Sequence, residues 1–191
     1  MNKFKALIMG ALLMVASVSS SSAANTFTWA GPAEVPTLDP HGTALSTAIT
    51  IYSQIYEPLV RNIGGKGLFP ALATEWKAVA KDQWRFTIRQ NVKFHDGTNF
   101  TADDVVFSLE RVRAEGSDLR EYLDMVRDVV KVDDHTVDVF TKDPVANLPV
   151  RMAMFPMMSK AWSIAHGIEK PSKAMQGEQS YANFNANGTG P

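Results

Sequence analysis

Residues 84–111, WRFTIRQNVKFHDGTNFTADDVVFSLER, constrain one another more tightly than any other part of the chain and set its fold class. Trp84, Phe86 and Ile88 alternate with Arg85, Thr87 and Arg89, the period of two of a strand with one buried and one wet face. Val92 and Phe94 extend that alternation into a second strand. Asp96-Gly97 supplies a turn, because Gly97 can take positive φ and Asp96 can hydrogen-bond nearby backbone. Thr101 then stands three residues before Asp104, so the pair approximates a capping box, and Asp103 and Asp104 sit at the positive end of the helix dipole. The helix that follows carries Val105, Val106, Leu109 and Val112 on one side, a core-facing stripe, with Asp104, Ser108 and Arg111 assigned to the opposite, polar side. Strand, turn, strand, turn, helix is the reading, and Asp96, Asp103 and Asp104 are turn and cap residues rather than chemistry.

The chain has 191 residues, 45% hydrophobic and 20% charged, ordinary globular composition. Lys3 and Lys5, an apolar run from Ala6 to Val18, and Ser22-Ala23-Ala24 have the three parts of a secretory signal peptide, with cleavage after Ala24 or Ala23. Without Lys3 and Lys5, 17 basic residues face 20 acidic ones. That slight acidity gives no support for nucleic acid or an anionic membrane as partner. With no cysteine, neither a lipid-anchored cysteine nor disulfide chemistry is available. A periplasmic location is expected, reached through a cleavable signal peptide.

Phe27 to Ala30 reads as a short strand, and Pro36-Thr37-Leu38-Asp39-Pro40 as extended or turned chain. From Thr43 to Val60 the spacing of Ile49, Tyr52, Ile55, Tyr56 and Leu59 predicts a helix that Pro58 ends. Ile63 to Gly67 is glycine-rich but lacks the Gly-Lys-Ser/Thr ending of a phosphate loop, so a turn is expected. Leu119 to Arg127 reads as helix or loop. Val129, Val130 and Val132, then Asp133-Asp134-His135, then Val137 and Val139 predict a hairpin. Ala146 to Phe155 predicts a short helix interrupted by Pro149, and Met152, Met154, Met157 and Met158 are read as core filling over a binding surface.

His41, His95, His135 and His166 are too far apart in sequence to suggest a zinc site, and no nucleophile or metalloprotease motif is present. Asp39 and His41 are read as a structural turn. A secreted hydrolase using that pair is the least favoured function. No catalytic residue, metal or cofactor is expected.

Leu38-Asp39-Pro40, Tyr56-Glu57-Pro58-Leu59-Val60, Leu72-Ala73 with Trp76, Phe86-Thr87-Ile88-Arg89, Val92-Lys93-Phe94-His95-Asp96-Gly97, Thr101-Ala102-Asp103-Asp104-Val105 and Gly188-Thr189-Gly190-Pro191 occur in an order that resembles the amino-terminal part of family 5 extracytoplasmic solute-binding proteins, the peptide and nickel binding subunits of ABC transporters. The resemblance implies a mixed α/β, type II-like periplasmic binding protein with two lobes that close on a ligand. It implies a signal peptide over 1–24, the start of lobe I over 25–57, an additional domain over 58–182 and a return to lobe I over 183–191, with the opposing lobe expected beyond Pro191. Peptide contacts in the family come partly from the loop after Leu-Asp-Pro, so Thr43, Ala44, Leu45 and Ser46 are the expected ligand-binding positions. The implied function is capture of small peptides by a monomer that delivers them to an ABC permease in the inner membrane. The alternatives are a nickel, haem, glutathione or opine binder of the same family, or a truncated remnant that binds nothing.

Overall fold

The computed structural model describes residues 34–190, so the signal peptide expected over 1–24, the strand expected at 27–30 and Pro191 lie outside the described residues. The centre is a four-stranded antiparallel sheet. Its strands are β3 (Ala73–Ala80), β4 (Gln83–Ile88), β5 (Val126–Asp133) and β6 (Thr136–Thr141), in the order β3-β4-β6-β5. It is two sequence-local hairpins joined edge to edge, and the register Trp84↔Val139 and Phe86↔Val137 stacks the inward side chains of the two central strands. Phe86, Ile88, Val137 and Val139 are buried there. A smaller hairpin of β1 (Val60–Ile63) and β2 (Gly67–Pro70) precedes the sheet, and the glycine-rich segment is its turn, with Gly65 and Gly67 at positive φ.

Helix α2 (Ala102–Arg113) covers the inner face of the sheet with Val105, Leu109 and Val112, all fully buried. Asp104 Oδ2 reaches back to accept from the Thr101 amide at 2.8 Å, so the shorter Asp closes the capping box expected of Glu or Gln. The Asp96-Gly97 turn also forms as expected: Gly97 has φ +85°, and Asp96 Oδ1 accepts from Thr98 N at 2.9 Å.

Several expectations need correction. Val92 to Phe94 is not a ladder strand. A single Lys93↔Asn99 bridge closes this loop, Asn91 breaks the extended run with φ 59°, and Phe94 instead packs edge-on against Phe100. The helix expected over 43–60 is shorter: α1 spans Ser46–Ile55. At its front, Thr43 Oγ1 accepts from Leu45 N at 3.3 Å and keeps the approach non-helical. At its end Tyr56 is extended, and Leu59 is buried from the chain leading into β1. Ile49, placed on the apolar face, is 47% exposed.

The largest difference concerns α2. Asp104, Ser108 and Arg111 do not face water; they are only 6%, 0% and 2% exposed. A second layer of chain covers them, comprising the 37–41 turn, the 156–160 segment and the 168–172 segment, through the bonds described below. Pro149 falls in the first turn of a one-turn helix, α3 (Leu148–Arg151), where a missing amide costs nothing, rather than interrupting a longer one. Met152, Met157 and Met158 are core, while Met154 is 44% exposed. Helix α4 (Lys160–Ala165) is capped by Ser159 Oγ, which accepts from Trp162 N at 3.2 Å.

Candidate functional site

The loop after Leu38-Asp39-Pro40 is shaped from below by one ion pair. Arg111 donates two parallel hydrogen bonds to the Asp39 carboxylate, Nη1 to Oδ1 and Nη2 to Oδ2, each 2.7 Å. Both side chains are fully buried. Removing two charges from water costs several kcal/mol per ion, on the order that only good geometry and complete hydrogen bonding offset. Here the remaining capacity is used. Asp39 also accepts from His41 N at 3.0 Å and Ser172 N at 3.1 Å, while Arg111 also donates to the carbonyls of Ile168 and Lys170, each at 3.1 Å.

His41 completes the cluster. Its Nδ1 lies 3.1 Å from Arg111 Nη1 and its Nε2 2.9 Å from the Pro156 carbonyl. A guanidinium only donates and a carbonyl only accepts, so Nδ1 is the bare nitrogen and Nε2 carries the proton. Burial, then the adjacent Arg111 charge, push the His41 pKa down to about 4, with Asp39 opposing them. Burial alone would raise the Asp39 carboxyl, but the Arg111 hydrogen bonds and charge outweigh it and hold the group below the usual carboxylate range. Both residues are 0% exposed. They cannot meet a substrate, and their environment is that of a structural brace.

Two tyrosines of the α1 region hang the same segment from above. Tyr52 Oη donates to Thr37 O at 2.8 Å and Tyr56 Oη to Leu38 O at 3.2 Å. Burial raises both phenol pKa values, so both keep the proton they donate. Thr37, Asp39, His41 and the tyrosines fix where the chain emerges.

What emerges is the 43–46 segment. Thr43 itself is 1% exposed and its hydroxyl is used on Leu45 N, so it supports the loop without facing solvent. Ala44, Leu45 and Ser46 are exposed. Leu45 is the N-cap of α1 and provides no side-chain cap, and the first turn holds no acidic residue. The first amides of a helix have no intrahelical acceptor, so this uncapped start presents donors with the positive end of the helix dipole behind them. The arrangement can hold a carboxylate or carbonyl oxygen. Farther along α1 is a cavity of about 640 Å³, lined by Pro40, Ile49, Tyr52, Ser53, Tyr56 and Met154 among others. Among the described residues no group of three or more His, Cys, Asp or Glu is placed to hold a metal ion.

Arg111, Ser108 and Ser172 are the positions that sequence reasoning missed. The available signal was the i, i+4, i+7 spacing of Asp104, Ser108 and Arg111, a stripe as regular as the apolar one beside it.

A family model described as bacterial extracellular solute-binding proteins, family 5 Middle, matches residues 67–191. Among curated proteins, the chain is 35% identical over 79 residues to the periplasmic murein peptide-binding protein MppA of Escherichia coli, covering 41% of this chain and 15% of MppA. It is 36% identical over 121 residues to the probable D,D-dipeptide-binding periplasmic protein DdpA of Escherichia coli, covering 60% of this chain and 23% of DdpA. Among solved structures, OppA of Burkholderia pseudomallei superposes with a TM-score of 0.65 at 27% identity, covering 72% of this chain and 31% of OppA. The matched region thus spans less than a third of the length of each of these proteins.

Proposed function

The chain belongs to the bacterial extracellular solute-binding proteins of family 5, and on that premise we propose that it serves to capture small peptides in the periplasm for delivery to an ABC transporter permease. The observation that carries this reading is the exposed, uncapped start of α1 held in place by a buried ion pair. Ala44, Leu45 and Ser46 line the ligand site in this proposal, with Thr43 behind them. The small side chains of Ala44 and Ser46 leave backbone amides accessible to a peptide's carbonyl or carboxylate oxygens, and Leu45 offers apolar surface to a ligand side chain. The peptide-binding names of MppA and DdpA favour peptides over the other ligands of the family.

In the same proposal residues 25–57 and 183–191 belong to the lobe that carries the ligand loop, and residues 58–182 to an additional domain. Two hydrogen bonds support that division. Leu38 N donates to Asn183 O at 3.0 Å and Gly190 N donates to Ile55 O at 2.9 Å, so the two ends of the described chain are joined to each other. The sheet and α2 lie wholly inside the intervening segment.

Calorimetric titration tests the ligand class. Di- and tripeptides are compared with nickel–histidine, haem, glutathione and an opine. Saturable heat confined to the peptides is the expected result; saturation by one of the others, or by none, overturns the peptide reading.

A further inference from the structure

The His95-Asp96-Gly97 turn grips the glycine segment near the end of the chain. His95 N donates to Gly188 O at 2.9 Å, and Gly188 N donates back to His95 Nδ1 at 3.3 Å. The other ring nitrogen, Nε2, lies 2.9 Å from Gly190 O. One residue on, Asp96 N donates to Asn187 Oδ1 at 3.2 Å and Asn187 Nδ2 donates to Asp96 Oδ2 at 2.9 Å. From the opposite side the segment is pressed against the end of α1. A Cβ at Gly188 would stand 1.9 Å from Ile55 O and one at Gly190 2.8 Å from it, so the chain passes there only as glycine.

The ring contacts specify one protonation state. A backbone amide can only donate and a carbonyl can only accept, so Nδ1 must be bare and Nε2 must carry the proton. We propose that His95 is a proton-sensitive latch: neutral, its Nδ1 accepts the Gly188 amide and helps pin residues 187–190 between its own turn and the end of α1; protonated, it places an N–H donor against the Gly188 N–H donor and frees that amide, while the other contacts of the segment stay in place. His95 is exposed, so solvent protons reach its ring freely. The buried His41 has no such freedom.

The other titratable groups of the elements meeting here do not duplicate the switch. On the same turn, the Asp96 carboxyl is raised by partial burial but held low overall by its bonds from Thr98 and Asn187, and the Lys93 side chain makes no bond to residues 187–190 among those described. At the end of α1, Tyr56 stays neutral because its pKa is raised by burial, and Glu57 is paired with Arg61 at 3.0 Å. Residues 187–190 carry no charge. Acidification therefore acts on this contact through His95, at the Gly188 amide beside the place where the chain returns to the helix that bears the ligand loop.

Amide hydrogen exchange resolved by NMR on the whole chain tests the latch, with rates corrected for intrinsic pH dependence and referenced to β4 amides. Going from pH 7.5 to 5, the protection of Gly188 relative to β4 is expected to fall about 3- to 10-fold, the worth of one hydrogen bond. In His95→Ala it should be low at both pH values. Nitrogen shifts of the wild-type imidazole at pH 7.5 should report the Nε2–H tautomer, a reading that does not depend on any variant folding. An Nδ1–H tautomer, or a Gly188 protection that is constant or falls only in parallel with β4, overturns the proposal.

Discussion

The two buried faces of α2 are held by different physics. One presents Val105, Leu109 and Val112 to the sheet, where burial is non-directional and any well-filled apolar surface would serve. The other presents Asp104, Ser108 and Arg111 to chain 50 or more residues distant, where every contact is a directional hydrogen bond to particular atoms. Ser108 Oγ donates to Asp104 O at 2.6 Å and accepts from Met158 N at 2.8 Å, Asp104 Oδ1 accepts from Lys160 N at 2.8 Å, and Arg111 holds Asp39. Apolar contact gives α2 its place on the sheet. Directional contact gives the 37–46 segment its place on α2, and with it the proposed ligand loop.

Replacing Arg111 tests this contrast most severely. Arg111→Met leaves the Asp39 carboxylate buried without its partner and is expected to cost about 3–5 kcal/mol in denaturant unfolding. The double variant Asp39→Leu with Arg111→Met removes the stranded charge and should recover much of that loss. If the double variant is as unstable as the single, the stranded Asp39 charge is not what destabilises Arg111→Met.

The next largest effect is pH dependence. His41 is kept neutral in the fold with a pKa of about 4 against an ordinary 6.5. Between those values the unfolded chain binds a proton that the folded chain refuses, so stability falls as pH drops from about 6.5 to 4, by roughly 3 kcal/mol from this group. Asp39, with its pKa lowered, adds a loss at more acid pH as the carboxylate is forced to protonate. Urea midpoints that stay flat from pH 6.5 to 4 would contradict the buried neutral imidazole.

Ser108→Ala removes a donor and an acceptor from the polar face at no cost to the apolar one. It strands the Met158 amide and should cost about 1–3 kcal/mol, whereas a loss below a few tenths would mean that the polar face is not where this layer is fixed. The smallest change expected is Gly97→Ala, about 1 kcal/mol lower stability by thermal melting. Space is not the cause, since a Cβ there meets nothing within 4 Å; the positive φ of 85° is.

The apolar half of this architecture was legible in the sequence. The alternation of Phe86 and Ile88, the turn at Asp96-Gly97, the cap at Thr101 and the stripe of Val105, Leu109 and Val112 depend on neighbours within one or two turns, and local spacing reports them. The polar half was not. Arg111 at a helix surface reads as solvated until Asp39, 72 residues away, is known to meet it. His95 likewise reads as an exposed turn residue, because its partners at Gly188 and Gly190 are more than 90 residues on. The loop at 43–46 came from family resemblance rather than from its own composition, and nothing in Thr-Ala-Leu-Ser indicates that Thr43 is buried while the next three residues are exposed.

Ser46→Pro probes the ligand loop with least disturbance to the fold. Ser46 is the first helical residue, a position where proline is tolerated, and Leu45 already has the extended φ −64°, ψ 130° that precedes proline well. The substitution deletes one amide donor facing solvent. Calorimetric titration of the wild-type chain and of Ser46→Pro with the same dipeptide should give an affinity about tenfold weaker for the variant, the worth of one well-placed hydrogen bond, at an unchanged melting temperature. Equal affinity in the two proteins would show that the start of α1 is not where the peptide is held.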